Sequence, residues 1–287
     1  MPIARSPQPS DADQPSRRRL LAWTTLGAAS VASAALAGCS DSTPAHGSAP
    51  LPGGSGEPSD SFSPGDPGNP QAASGLPSPV AASPVAVRGK AVFTVHDLLP
   101  NAPADAVALT IDDGPSPVYT PQMLALLRKY DIRATFSVVG SQAHLYKDLI
   151  KAIAADGHTV ANHTMTHPQP FSHHTAAQIE QQIVDAQSVI VDAGAPAPTL
   201  FRSPGGDWSP TIFATVAKYG MVPIDWDIDP RDWSRPGVPH ITSKLLAAHP
   251  GDILLCHDGG GDRSQTLDAL KTVLPALKAK GLSFVTL

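Results

Sequence analysis

Two short segments hold residue types that can bind a metal ion and move protons. Asp112 and Asp113 stand side by side after the apolar run 106–111 and precede Gly114-Pro115. Asp-Gly-Pro is ordinary turn chemistry. Adjacent carboxylates nevertheless leave a strand end in different directions, so one can ligate a cation while the other accepts a proton. His163 and His167 are separated by Thr164-Met165-Thr166. On a helical turn that spacing brings both imidazoles to one face, within reach of one ion, and Pro168 limits how far the turn can run. Taken alone, the pair can equally be two solvated or hydrogen-bonded histidines. With one Asp, the two imidazoles make a His/His/carboxylate set, which leaves a catalytic Zn2+ an open position for water. Co2+ and other divalent ions suit overlapping donor sets.

Three further segments add groups that could work beside such an ion. Arg202-Ser203-Pro204-Gly205-Gly206 lies between an apolar run and a helical pattern. Pro and Gly explain a turn there, but Arg202 can hold a carboxylate with a bidentate fork, and the glycines let backbone N–H groups approach a developing oxyanion. The segment 227–233 carries Asp227, Asp229, Asp232 and Trp233; such a charged loop is ordinarily just solvated. Leu255-Cys256-His257-Asp258 ends a strongly apolar run with a histidine. That histidine can be a satisfied core residue, or, beside a metal site, a general acid. Cys256 reads as a small buried filler rather than a reactive thiol.

The scaffold must bring the ends of several strands together. Apolar runs at 106–111, 134–139, 159–161, 199–202, 221–226, 252–257 and 283–286 read as strands. Helical patterns lie between them at 121–130, 145–156, 175–193, 209–219, 241–248 and 265–280. Strands spaced by helices imply a parallel sheet, open or rolled into a barrel. In either form the functional side chains sit where strands end and the next loops begin, which is where all five segments fall.

The first third of the 287-residue chain is unlike the rest. Arg17-Arg18-Arg19, an apolar stretch and Leu36-Ala37-Gly38-Cys39 read as a twin-arginine-like export signal over 1–39, with a lipobox ending at Cys39. The alternative is an apolar segment retained as a membrane helix. Residues 40–87 are rich in Pro, Gly, Ser and Ala and are expected to form a disordered tether. Residues 88–287 then make one catalytic domain outside the cytoplasm, attached to a membrane only through the lipid. With two cysteines in the chain and Cys39 taken by the signal, no disulfide is expected. A formal net charge of −5 argues against nucleic-acid binding. A monomer is expected.

Together and in this order the segments resemble the polysaccharide deacetylases, carbohydrate esterase family 4, also called the NodB homology domain. Thr110-Ile111-Asp112-Asp113-Gly114 is similar to the first family motif, and the segment from His163 to His167 to the second. Arg202-Ser203-Pro204-Gly205-Gly206 is similar to the third, Asp229-Pro230-Arg231-Asp232-Trp233 to the fourth and Leu255-Cys256-His257 to the fifth. The resemblance implies a distorted (β/α) barrel of about seven parallel strands. It implies Asp113, His163 and His167 as metal ligands, Asp112 as general base and His257 as general acid. Arg202 would orient Asp112, and Asp232 would orient His257 and raise its pKa. The Gly205 N–H would line the oxyanion hole, while Trp233 and Leu255 wall a pocket sized for a methyl group. Ile111 and Gly205 depart from the usual Phe and the usual aromatic residue, the second removing a wall of the sugar site. The implied activity is metal-dependent removal of acetyl groups from an N-acetylated polysaccharide, peptidoglycan N-acetylglucosamine or a chitin-like glycan. An O-acetyl esterase acting on xylan would use the same groups. A catalytically silent carbohydrate-binding protein would lack at least one of them.

Overall fold

The computed structural model describes residues 89–287. The export signal, Cys39 and the tether expected from the sequence lie outside them. Strand β1 (Ala106–Asp112) is buried along its whole length, as a central parallel strand covered on both faces should be. One edge pairs in register with β6 (Ile253–His257). The other edge is shared by β2 (Thr135–Val138), opposite Thr110 to Asp112, and β7 (Ser283–Val285), opposite Ala106 to Ala108. Beyond β2 follow β3 (Thr159–Asn162), β4 (Leu200–Phe201) and β5 (Val222–Pro223), giving the order β5-β4-β3-β2-β1-β6. Every pairing is parallel. The two outer strands are drawn toward one another by single bridges: Val92 pairs with Ile224 just after β5, and Thr94 with Asp252 just before β6. The sheet is therefore a distorted (β/α) barrel of seven parallel strands in a single domain.

The alternation of β1 explains how the barrel is filled. Val107, Leu109 and Ile111 face outward into the main core, which they share with α2 (Thr120–Lys129) and α8 (Ser264–Ala279). Ala106 and Ala108 face inward, against Ile253 and Val95 of the short α1 (Val95–Leu98). Small side chains fit this narrow interior, and α1 plugs its lower end. Further along the same inner face come Thr110 and Asp112, so the apolar floor gives way to a polar mouth at the C-terminal ends of the strands.

The remaining helices differ from the sequence expectation where packing overrides pattern. A short helix that was not expected, α3 (Gly140–Leu145), precedes the one expected over 145–156, which is α4 (Lys147–Ala155); the two join at Tyr146, whose φ of −124° and ψ of 52° are not helical. α3 begins at a glycine because it packs on α5 (Ala176–Asp192): a Cβ on Gly140 would lie 2.9 Å from the Ala186 Cα. After β4 comes α6 (Pro210–Lys218), with Ser209 as N-cap. The last crossover helix, α7 (Val238–Leu245), starts three residues earlier than 241 and carries Pro239 in its first turn, which tolerates a missing N–H. The strand expected over 221–226 is reduced to β5: the Ile224 N–H still bonds to Phe201 of β4, but the next N–H, that of Asp225, turns to the Val92 carbonyl. No helix of the described residues is long and apolar enough to cross a membrane.

Candidate active site

Asp112 is the last residue of β1 and His257 the last of β6, and they are direct partners in the parallel ladder. Paired residues of neighbouring strands point to the same face, so both side chains enter the polar mouth. Asp112 Oδ1 accepts a hydrogen bond of 2.7 Å from Nη1 of Arg202, which follows β4 and is fully buried. The fork is not bidentate on the carboxylate, as the sequence suggested. Two other buried acceptors compete for it: Thr110 Oγ1 takes Nη1 at 2.8 Å and the Asp225 carbonyl takes Nη2 at 2.9 Å. Asp112 Oδ1 is thereby fixed, while Oδ2 turns toward His163, 3.9 Å from its Nε2.

His163 and His167 are not on a helical turn. Thr164 and His167 have φ of 67° and 55°, left-handed values that are uncommon for any residue but glycine and strained for a β-branched one. Surrounding hydrogen bonds hold this loop. Asn162 Oδ1 accepts from Thr164 N–H while its Nδ2 donates to Ile183 of α5. Thr164 Oγ1 accepts from His167 N–H and Gln182 Oε1 from Thr166 N–H. The first two N–H groups of α3, which have no partner within their helix, donate to the carbonyls of Thr164 and Met165.

Asp113 also turns left-handed, at φ 73°, and its Oδ1 lies 3.5 Å from His163 Nε2 and 3.3 Å from His167 Nε2. One ligand atom from each of the three residues falls within 4.8 Å of the others. His163 Nδ1 donates to the Arg202 carbonyl at 2.8 Å, which fixes the tautomer and aims the Nε2 lone pair at the ion position, as ligating histidines require. The charges agree. Burial pushes the Asp113 carboxyl up, but hydrogen bonding and charge from His163, with His257 and His167, hold it well below the usual range. Burial lowers His163, but the Asp112 and Asp113 carboxylates outweigh it and raise its pKa. Burial and the neighbouring His163 charge lower His167. This donor set fits a divalent cation with positions left open.

The turn after β6 buttresses the Asp113 carboxylate. A Cβ on Gly259 would overlap the Asp113 carbonyl, and one on Gly114 would overlap the Asp258 carboxyl. Gly259→Ala is therefore expected to displace Asp113 and weaken divalent-ion affinity by about tenfold to a hundredfold, the range for losing a group that orients a ligand. Competition against a zinc indicator measures it. Asp258 itself is fully buried, accepts a 2.5 Å hydrogen bond from Thr120, and is pushed by burial up to about 7.

Across the mouth, Asp232 Oδ1 lies 2.7 Å from His257 Nδ1. Its Oδ2 accepts from the His257 N–H and from Thr266 Oγ1, at 2.9 and 2.8 Å. Burial would lower the His257 pKa, but the hydrogen bond and charge of Asp232 outweigh it and raise the imidazole to about 9. It is a protonated acid at neutral pH, with Nε2 left for the cavity.

These groups open on one cavity of about 680 Å³. Gly205, Leu255 and Trp233 line it too, Trp233 at the rim with 47% of its surface exposed. Arg202 and Asp232 act from behind the wall. Gly205 is left-handed at φ 62°, and the Gln169 amide fills the space beside it, 3.3 Å from where a Cβ would stand. Sequence reasoning missed Gln169, Trp226, Arg263 and the glycines after His257. Of these only the run Gly259-Gly260-Gly261 carried a signal, that of close backbone approach.

A sequence model of the polysaccharide deacetylase family matches residues 100–224. The peptidoglycan-N-acetylglucosamine deacetylase of Bacillus cereus is 43% identical over 183 residues, covering 63% of this chain and 85% of that protein. The chitooligosaccharide deacetylase of a Bradyrhizobium species is 42% identical over 189 residues, covering 61% and 86%. Among solved structures, the Bc1960 peptidoglycan N-acetylglucosamine deacetylase superposes with a TM-score of 0.63 at 30% identity, over 68% of this chain and 89% of that one. Likeness of this depth over most of the length of those relatives means that the chain belongs to the polysaccharide deacetylase family.

Proposed function

We propose that the protein is a metal-dependent hydrolase that removes acetyl groups from N-acetylated polysaccharide, with peptidoglycan N-acetylglucosamine as its substrate. The observation that carries this reading is the placement of Asp113, His163 and His167 around one point, with the free oxygen of Asp112 on one side and protonated His257 in the same mouth. A divalent ion held by the three ligands, Zn2+ in this proposal, supplies Lewis acidity toward an acetyl carbonyl and toward water. Asp112 Oδ2 takes the proton of the attacking water, while Arg202 keeps Oδ1 fixed. The Gly205 N–H donates to the oxyanion as it develops. His257 Nε2–H gives its proton to the sugar nitrogen as the acyl C–N bond breaks, so acetate leaves and a free amino group remains on the sugar. Trp233 and Leu255 wall the space for the acetyl methyl group.

The choice of wall glycan rests on the named activities of the relatives and on the export signal, lipobox and tether over 1–87, which would hold the domain at the cell surface through Cys39. Acetate release from wall glycan, chitin oligomers and acetylated xylan tests it. Release from wall glycan is expected, abolished by a chelator and restored by Zn2+. Release from xylan alone would overturn the peptidoglycan assignment, and release unaffected by chelation would overturn the metal-dependent one.

A further inference from the structure

One positive charge in the cavity wall makes no salt bridge among the described residues. Arg263, in the turn between β6 and α8, is 4% exposed. Its Nε donates to the Gly259 carbonyl at 2.6 Å and its Nη1 to the Trp233 carbonyl at 3.2 Å. Among the described residues it makes no salt bridge, whereas the other deeply buried arginine, Arg202, is paired with Asp112. Two neutral carbonyls do not offset the desolvation of a guanidinium. Nη2 makes no hydrogen bond within the described residues and is not sealed from solvent. Arg263 lines the cavity that holds Asp113 and His257. A Cβ built on Gly260 would lie 2.8 Å from Asp113 Oδ2 and 3.1 Å from Arg263 Nη2. Only the absence of a side chain at Gly260 keeps open the space between the guanidinium and the ligand carboxylate.

We propose that Arg263 is a carboxylate-binding side chain of the substrate cavity, receiving the anion on Nη2 while Nε and Nη1 hold the guanidinium in place. The proposal rests on the deacetylase reading and adds an anionic component to its ligand. Stapling the turn at 259–261 to the Trp233 segment uses two of the three nitrogens and needs no charge; the third nitrogen and the charge are what an anion would use. The other charged and titratable groups on the cavity are Asp112, Asp113, Asp229, His163, His167 and His257. Arg202 pairs with Asp112, His257 with Asp232, and a divalent ion would take up Asp113, so that among the described residues Asp229 is the carboxylate left on the cavity and Arg263 the cation that can meet an incoming carboxylate. The carboxylate has two possible sources: an acid group on a sugar adjoining the one that is deacetylated, as an ether-linked lactate provides, or the acetate that the reaction releases.

The test uses the full chain loaded with Zn2+, as wild type, Arg263→Gln and Arg263→Lys. It measures kcat/KM for a neutral N-acetylglucosamine oligomer and for one of equal length whose neighbouring sugar carries a lactyl carboxylate, together with inhibition by added acetate. The wild type is expected to favour the acidic oligomer by about tenfold, the size of one charge-assisted hydrogen bond. Arg263→Gln should bring the ratio near one, and Arg263→Lys should retain part of it. If the ratio does not move but acetate inhibits Arg263→Gln about tenfold less than wild type, released acetate is the ligand. Both quantities unchanged by substitution, with the two oligomers losing rate alike, would make Arg263 a loop staple and overturn the proposal. If neither oligomer is turned over, the deacetylase reading fails separately. Calorimetric Kd values for the same oligomers and acetate, wild type against Arg263→Gln, then give the same ratios.

Discussion

Asp112→Asn is expected to keep its metal and lose between about 10² and 10⁴ in kcat, the span ascribed to a positioned general base. The substitution is nearly isosteric, and its amide oxygen can still accept from Arg202 Nη1 in place of Oδ1. What it cannot do is take a proton at the position of Oδ2, the oxygen that faces His163. Asp112 is outside the triad of ligand atoms, so metal content should be unchanged. Arg202 loses its counter-charge while fully buried, and breaking a buried pair by removing one partner costs up to about 3–5 kcal/mol. Thermal unfolding must therefore be measured beside kcat, at a temperature where the variant is folded. His163→Ala supplies the contrast, since it should lose metal and activity together. Metal lost from Asp112→Asn in equal measure would put Asp112 among the ligands, and activity within a few-fold of wild type would remove it from the proton transfer.

The types of the site residues were legible because each stands at the end of an apolar run, where a barrel of parallel strands exposes its side chains. Asp112, Asp113, His163, Arg202 and His257 could be found that way. Their geometry could not. The loop from His163 to His167 leaves the helical path because Asn162 and Gln182 reach it from β3 and α5 and because α3 donates two N–H groups to it. Only the Asn162 contact, with the N–H two residues on, is local; the contacts from α5 and α3 have no local signature. Arg202 divides its fork because Thr110 and the Asp225 carbonyl arrive from other strands. Local pattern also failed at β5, where pairing with Val92 takes over from the ladder with β4. Arg263 was illegible for a further reason: its meaning lies in a missing partner, and a sequence does not show which carboxylates stay out of reach.

Asp232→Asn is expected to move the alkaline limb of the kcat profile toward lower pH and to lower kcat at neutral pH, without changing metal content. His257 is raised to about 9 against burial chiefly by Asp232. Removing that charge leaves burial opposed only by the Asp113 and Asp112 carboxylates, so the folded-state pKa falls toward the ordinary histidine value of about 6.5. The general acid must be protonated, so its loss follows pH upward: in wild type kcat should fall tenfold per unit above the His257 pKa. A bound divalent cation repels the proton and brings that limb below about 9, yet the direction of the Asp232→Asn shift is the same. The stability linkage has a matching sign. A pKa raised from 6.5 to about 9 on folding contributes stability that is fully present below pH 6.5 and is lost as pH rises through about 9. The difference in Tm between wild type and Asp232→Asn should therefore shrink between those values. His257→Ala should lower kcat by about 10² to 10⁴ and abolish the limb that Asp232→Asn displaces. If Asp232→Asn left the limb in place, the titrating group would be other than His257, and the proton reaching the sugar nitrogen would have to come from another donor.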